Sequence, residues 1–244
     1  MKGVSPVLLV LAAACQPPTT GAAQLPDSSK DVWVFVVHGS GDGPERWAQP
    51  LVDTLSLRVK TPARVQWVAY DWRDAAKDKL SAAERGQAEG AAIAEVLESK
   101  QLSHVHVIAH SAGAHVAFGL EQALSTVASR PTLHLTLLDP FLGKGLDFEW
   151  GKTRFGTGAD FVEQWLNLGD GVPGTETAVA AAHVFDVSKS AGKPEVTGSQ
   201  GHWWPTQAYG VLEPGFSSSL EATGGFDAAA LRERFPPGAS EAVP

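Results

Sequence analysis

Residues 103–117 read S-H-V-H-V-I-A-H-S-A-G-A-H-V-A, and they constrain the fold more than any other stretch of the chain. A short apolar run, residues 105–109, leads into a sharp turn at His110-Ser111-Ala112-Gly113. Helix-compatible residues 114–124 follow. The pattern is strand, tight turn, helix, with a serine at the apex. Such a turn lifts the serine Oγ clear of a sheet. The helix behind it aims its N-terminal dipole and free N–H groups at any negative charge that develops there. Small residues two positions to either side let strand and helix pack closely. Here they are Ala109 and Gly113, giving A-H-S-A-G in place of the commoner G-x-S-x-G. The plainer alternative is an N-cap serine at a βα turn. That alternative leaves unexplained why a strand-end aspartate and a loop histidine follow in order.

Lys2 supplies a minimal positive start, and residues 4–14 are apolar and end in Leu11-Ala12-Ala13-Ala14-Cys15. The run is too short to span a bilayer and fits a secretory signal over residues 1–15. The small residues before Cys15 resemble a bacterial lipobox, with Leu11 one place earlier than usual. This predicts an exported protein, anchored to the outer membrane or cell surface by lipid on Cys15, and otherwise periplasmic or secreted. Cys15 is the only cysteine, so no intramolecular disulfide forms. Residues 16–30 are rich in Pro, Thr, Gly and Ser and read as a flexible tether. The net charge of −8 and the absence of any basic run exclude nucleic acid as an expected partner.

Residues 31–37, 63–70 and 133–138 are β-branched or apolar runs of the kind buried on both faces of a sheet. Residues 159–166 and 181–187 read as later strands. Residues 45–59 and 81–99 read as helices, the second with an apolar stripe through Ala88, Ala91, Ala92, Val96 and Leu97. Strands alternate with helices, so the fold class is α/β, a mostly parallel sheet covered on both faces. The expected domain is residues 31–212. Residues 213–244, rich in Ser, Gly, Ala and Pro, read as a poorly ordered tail with one short helical stretch at 228–234.

Acyl transfer needs a nucleophile, a base and an acid that orients the base. Ser111, Asp139 and His202 occur in that order. Asp139 ends a strand, and His202 lies in a loop beyond the last clear strand. Asp170 is the second candidate acid, and Asp160 and Asp186 trail it. His183 competes with His202 as base but lies within a strand pattern. The turn His38-Gly39-Ser40-Gly41 after the first strand predicts an oxyanion donor at Ser40, paired with the N–H of Ala112. Residues 141–158 are Gly-rich and carry aromatics. Phe141, Phe148 and Trp150, together with Trp203, are candidate pocket residues, with the alternative that the loop aromatics only pin that loop to the core. His104 and His106 share a strand face, but no carboxylate follows at ligand spacing, so no metal site is expected.

With V-F-V-V-H-G, Y-D-W-R, H-V-I-A-H-S-A-G-A-H-V-A, L-L-D-P and A-D-F-V-E, residues 31 to about 210 resemble the α/β-hydrolase superfamily, and more narrowly its pancreatic-lipase-like branch. That branch carries its acid on the strand after the nucleophile strand, followed by proline, which favours Asp139-Pro140. Ala109 replaces the branch's glycine, and its disulfide-closed lid and C-terminal lipid-binding domain have no counterpart. The resemblance therefore implies a serine hydrolase acting on esters of small or medium acyl chains, with no metal or organic cofactor. A thioesterase, an amidase, a zinc enzyme using His104 and His106, or a non-catalytic surface lipoprotein stand as alternatives.

Overall fold

The computed structural model describes residues 21–212, except residue 197, and residues 227–244. The signal with Cys15, tether residues 16–20 and tail residues 213–226 lie outside the described residues.

Seven strands form one sheet: β1 (Val32–Val37), β2 (Val65–Tyr70), β3 (His104–His110), β4 (Thr132–Leu138), β5 (Phe161–Leu166), β6 (His183–Asp186) and β7 (Ser240–Ala242). They run in the order β2-β1-β3-β4-β5-β6-β7, and every pairing is parallel. Parallel neighbours need crossovers, and helices supply most of them: α1 (Ala48–Ser56), α2 (Arg73–Ala76), α3 (Ala82–Glu98), α4 (Ala114–Ser125), α5 (Trp204–Leu212) and α6 (Ala228–Arg234).

All six β1 residues are buried, and they alternate between two cores. Trp33, Phe35 and Val37 face α3 and α4, while Val32, Val34 and Val36 face α1, α5 and α6. This period-2 division of an unbroken apolar run is what a doubly covered parallel sheet requires. It also sets every strand's C-terminal end along one edge, and the turns after β1, β3, β4, β5 and β6 gather there.

Three expectations change. The stripe of α3 is rotated. Gly86, Gly90, Ile93, Ala94 and Leu97 are buried, while Ala88 is exposed. A Cβ on Gly90 would lie 2.1 Å from Val116 O, and one on Gly119 2.1 Å from Gln87 O. The glycines thus let α3 and α4 touch backbone to backbone, and an apolar-residue count overlooks them. The tether is packed from its described start: Ala22 is buried and Leu25 lies on the core. The tail is not loose where it is described. The Asp227 carboxylate caps α6 by accepting from Ala230 N at 3.0 Å, Leu231 and Phe235 are buried, and β7 pairs with β6.

Candidate active site

Ser111 follows β3 directly and is held at φ 53°. Asp139 follows β4 at φ 40°. These are the only described non-glycine residues with positive φ, a conformation that costs of order 1–3 kcal/mol and gathers at functional sites. Gly113 makes the first turn possible. A Cβ there would sit 2.8 Å from His38 O and 2.9 Å from Val37 O, so only glycine lets the start of α4 approach the end of β1. The His38–Gly41 turn closes over the serine, since a Cβ on Gly39 would lie 3.0 Å from Ser111 Cβ. The Ser40 hydroxyl is spent on Ala76 O at 2.6 Å, which fixes the turn. Trp72, in the turn between β2 and α2, does the same, its indole N–H donating to His38 O at 2.7 Å.

Ser111 and Asp139 are tied through the backbone: Phe141 N donates to Ser111 O at 3.0 Å. His202 is brought in by His110, the residue before the serine. His110 Nε2 lies 2.9 Å from His202 O, and the two rings are 4.6 Å apart. That contact assigns the Nε2–H tautomer to His110. Burial, then the neighbouring His202, push its pKa well below the usual imidazole value, so the ring stays neutral.

His202 meets two buried carboxylates at one nitrogen. Its Nδ1 is 2.8 Å from Asp170 Oδ2 and makes a hydrogen bond there. It is 3.4 Å from Asp139 Oδ2, which has no hydrogen-bond partner. Asp170, ranked second in the sequence, is thus the nearer acid. Asp170 also accepts from Val172 N at 2.8 Å and from the Thr175 hydroxyl. Burial works against its charge, but these donors and His202 hold its pKa below the ordinary value. Asp139 accepts only Asn167 N, at 2.7 Å on Oδ1. Burial raises its pKa to about 7, and Asp170 pushes the same way. Burial would lower the pKa of His202, but the two carboxylates outweigh it and lift it to about 9. With Nδ1 committed, Nε2 is left buried and without a partner.

Asn167, at the end of β5, is a clamp that the sequence reading missed. Its backbone holds Asp139, its Nδ2 donates to Gly201 O at 2.7 Å beside His202, and Lys193 Nζ donates to its Oδ1 at 2.6 Å. No motif marks it, since its roles come from three loops meeting.

The pocket candidates divide. Trp203 stacks on His110 at 4.6 Å and Phe141 lies directly after Asp139-Pro140, so both adjoin the site. Trp150 instead packs on His115, Phe118 and Phe155, and Phe148 is half exposed. Leu142 and Phe155 are core residues. The loop's aromatics mainly pin it to α4, and Trp150 is removed from the pocket.

Two clusters place three metal-ligating side chains close together: Asp139, Asp170 and His202, and on the sheet face His106, His134 and Glu163. The first is the site just described. In the second, the two imidazoles stack in parallel at 3.7 Å, so their lone pairs run alongside one another and do not converge. The Thr136 hydroxyl lies 2.8 Å from His106 Nε2 and donates to Glu163 Oε1 at 2.6 Å. The geometry is that of a buried hydrogen-bond network. His134 and Glu163 belong to other strands, and no spacing in the sequence announces them.

Comparison with known proteins matches residues 34–238 to the model of the alpha/beta hydrolase family. No curated protein matches. Solved structures with likeness include the epoxide hydrolase CorEH, at 17% identity over 48% of this chain and 38% of that one, TM-score 0.33. An extracellular alpha/beta-hydrolase from a Paenibacillus species has 14% identity over 45% and 41%, TM-score 0.29. A Listeria innocua protein, the lin2722 product, has 11% identity over 76% and 95%, TM-score 0.44. The chain spans about two fifths of the length of the first two. The family match covers most of the sequence and agrees with the all-parallel sheet, and the chain belongs to the alpha/beta hydrolase family.

Proposed function

We propose that this hydrolase cleaves carboxylic esters through an acyl-enzyme on Ser111, with His202 as the base. What supports the reading is His202: its Nδ1 is held by buried carboxylates, its Nε2 is left without a partner, and its ring lies against His110, the residue before Ser111. As Ser111 Oγ attacks the ester carbonyl, its proton passes to His202 Nε2. The same proton then goes to the leaving alcohol as the C–O bond breaks. Water repeats the sequence in reverse and frees the acid. N–H groups of Ser40 and Ala112 hold the oxyanion, each worth on the order of 3 kcal/mol.

Asp170 takes the orienting role by its hydrogen bond, and Asp139 supplies a second charge at the same nitrogen. The narrower pancreatic-lipase-like resemblance rests on Asp139-Pro140. With carboxylates after both β4 and β5, an ester substrate of small or medium chain is the reading that needs no lid.

The test is labelling with a fluorophosphonate, comparing the parent with Ser111→Ala and His202→Ala. Labelling that disappears in both variants is expected. Labelling that survives Ser111→Ala means that another nucleophile is at work. A folded parent that does not label means that the fold serves here as a binding scaffold.

A further inference from the structure

The loop between β1 and α1 carries Arg46, and its surroundings are unusual. Its guanidinium lies 3.8 Å over the ring of Trp203, the residue after His202. Trp203 in turn stacks on His110, which contacts His202. Arg46 makes no ion pair among the described residues. Arg64 is paired with Asp31, Arg73 with Asp71 and Glu45, and Arg130 with Asp160. The adjacent acid, Glu45, is thus drawn away by Arg73. The chain carries 27 acidic against 19 basic residues, yet none of the described acids reaches this cation.

Arg46 also lines a cavity of about 430 Å³ between α1 and α5, with Trp47, Arg58, Trp203, Thr206 and Gln207. No aspartate or glutamate lines it. A guanidinium held by its face on an indole keeps its N–H edge available, and that planar fork matches a carboxylate or phosphate. The charge is felt at the site, since Arg46 adds to the forces that keep His110 neutral.

Which part of the substrate meets it follows from the chemistry. His202 must hand its proton to the leaving oxygen, so the leaving group lies against His202. Trp203 follows His202 in the chain, and Arg46 lies on Trp203. We propose that Arg46 binds an anionic group, carboxylate or phosphate, on the alcohol portion of the ester. The assignment rests on the hydrolase reading above for its chemistry but not for its binding partner.

The test compares 4-carboxyphenyl butyrate with 4-carbamoylphenyl butyrate, each rate divided by the uncatalysed one, in the parent and in Arg46→Gln and Arg46→Lys. A third ester bearing a 4-phosphate in place of the carboxylate separates the two anions. The parent is expected to favour an anionic ester in kcat/KM by about 5- to 10-fold, as one charge-assisted contact allows. Arg46→Gln should bring the ratio near one, and Arg46→Lys should keep part of it. Added salt should erode the preference. Because a ratio is read, a general loss of activity cancels.

Binding of the product 4-hydroxybenzoate to Ser111→Ala protein, followed by tryptophan fluorescence, gives a second readout that needs no turnover. Weakened binding in Ser111→Ala/Arg46→Gln supports the assignment even if no ester is cleaved. Equal ratios in parent and Arg46→Gln, or binding indifferent to Arg46, overturn it.

Discussion

An imidazole shared by two buried carboxylates gives them unequal work, because one Nδ1–H can be donated well to only one of them. Asp170 has the bond and two further donors, Val172 N and the Thr175 hydroxyl, and Asp139 has one amide and the longer approach. Asp170→Asn should therefore lower kcat/KM by about 10²-fold or more, since the base loses its orientation. Asp139→Asn should cost less, about 10-fold or under, and Asn tolerates the positive φ at that position. The pH profile separates them further. With its pKa raised to about 9, His202 holds a proton at neutral pH and becomes a base only as pH rises. The rate should thus climb on the alkaline side and level off above about pH 9. Removing the Asp139 charge lowers the His202 pKa and moves that limb to lower pH. The limb belongs to the three groups together. Steady-state kinetics of both variants across pH decide the matter, and equal losses with an unmoved limb would count against the division. The serine, the histidine and both acids were legible as residue types in chain order. Their ranking was not, because it depends on an amide from Asn167 and a hydroxyl from Thr175, neither of which carries a motif.

Among the elements, the sheet carries a polar stripe, His106, His134, Thr136 and Glu163, apart from the candidate site. Burial raises the Glu163 pKa to about 7, against the pull of the Thr136 hydroxyl, so the folded protein favours the neutral acid. A group with a raised folded pKa contributes stability in full below its unfolded pKa of about 4.3, and the contribution is lost as pH rises through about 7. His106 and His134 work oppositely. Burial holds both well below the ordinary value, so their contribution is present above about pH 6.5 and fades on acidification. Glu163→Gln keeps a hydrogen-bonding partner for Thr136 and cannot ionise. Chemical denaturation should show the parent losing stability relative to Glu163→Gln between about pH 5 and 8. Parallel curves for the two proteins would mean that Glu163 ionises in the folded protein as readily as in the unfolded chain. The elements themselves were readable where apolar runs were long, as in β1, β3 and β4. They were misread where packing depends on missing side chains. The α3 stripe was misphased because Gly86 and Gly90, not alanines, face α4.

At the scale of the whole molecule, the alternation of strand and helix was enough to give the parallel, doubly covered architecture. In the C-terminal region the helix at 228–234 was readable, but its packing was not, because composition alone does not reveal a cap at Asp227 or a two-ring contact. Phe235 packs on His183 at 5.2 Å and Phe185 at 5.3 Å, and it is 4% exposed. Phe235→Ala should cost about 3–5 kcal/mol, seen as a lowered thermal midpoint. A loose tail would give no change at all.

The attachment of β7 to β6 also bears on how the protein is made. β6 must wait for all of residues 187–239 before its outer edge is paired, and among the other neighbouring pairs only β1 and β3, with residues 38–103 between them, are set so far apart in the chain. Until residue 242 has emerged, a nascent chain presents an open row of backbone donors and acceptors, the template on which strands of other molecules add. Synthesis therefore passes through an interval in which five-sixths of the sheet's pairings can form but its last edge is adhesive.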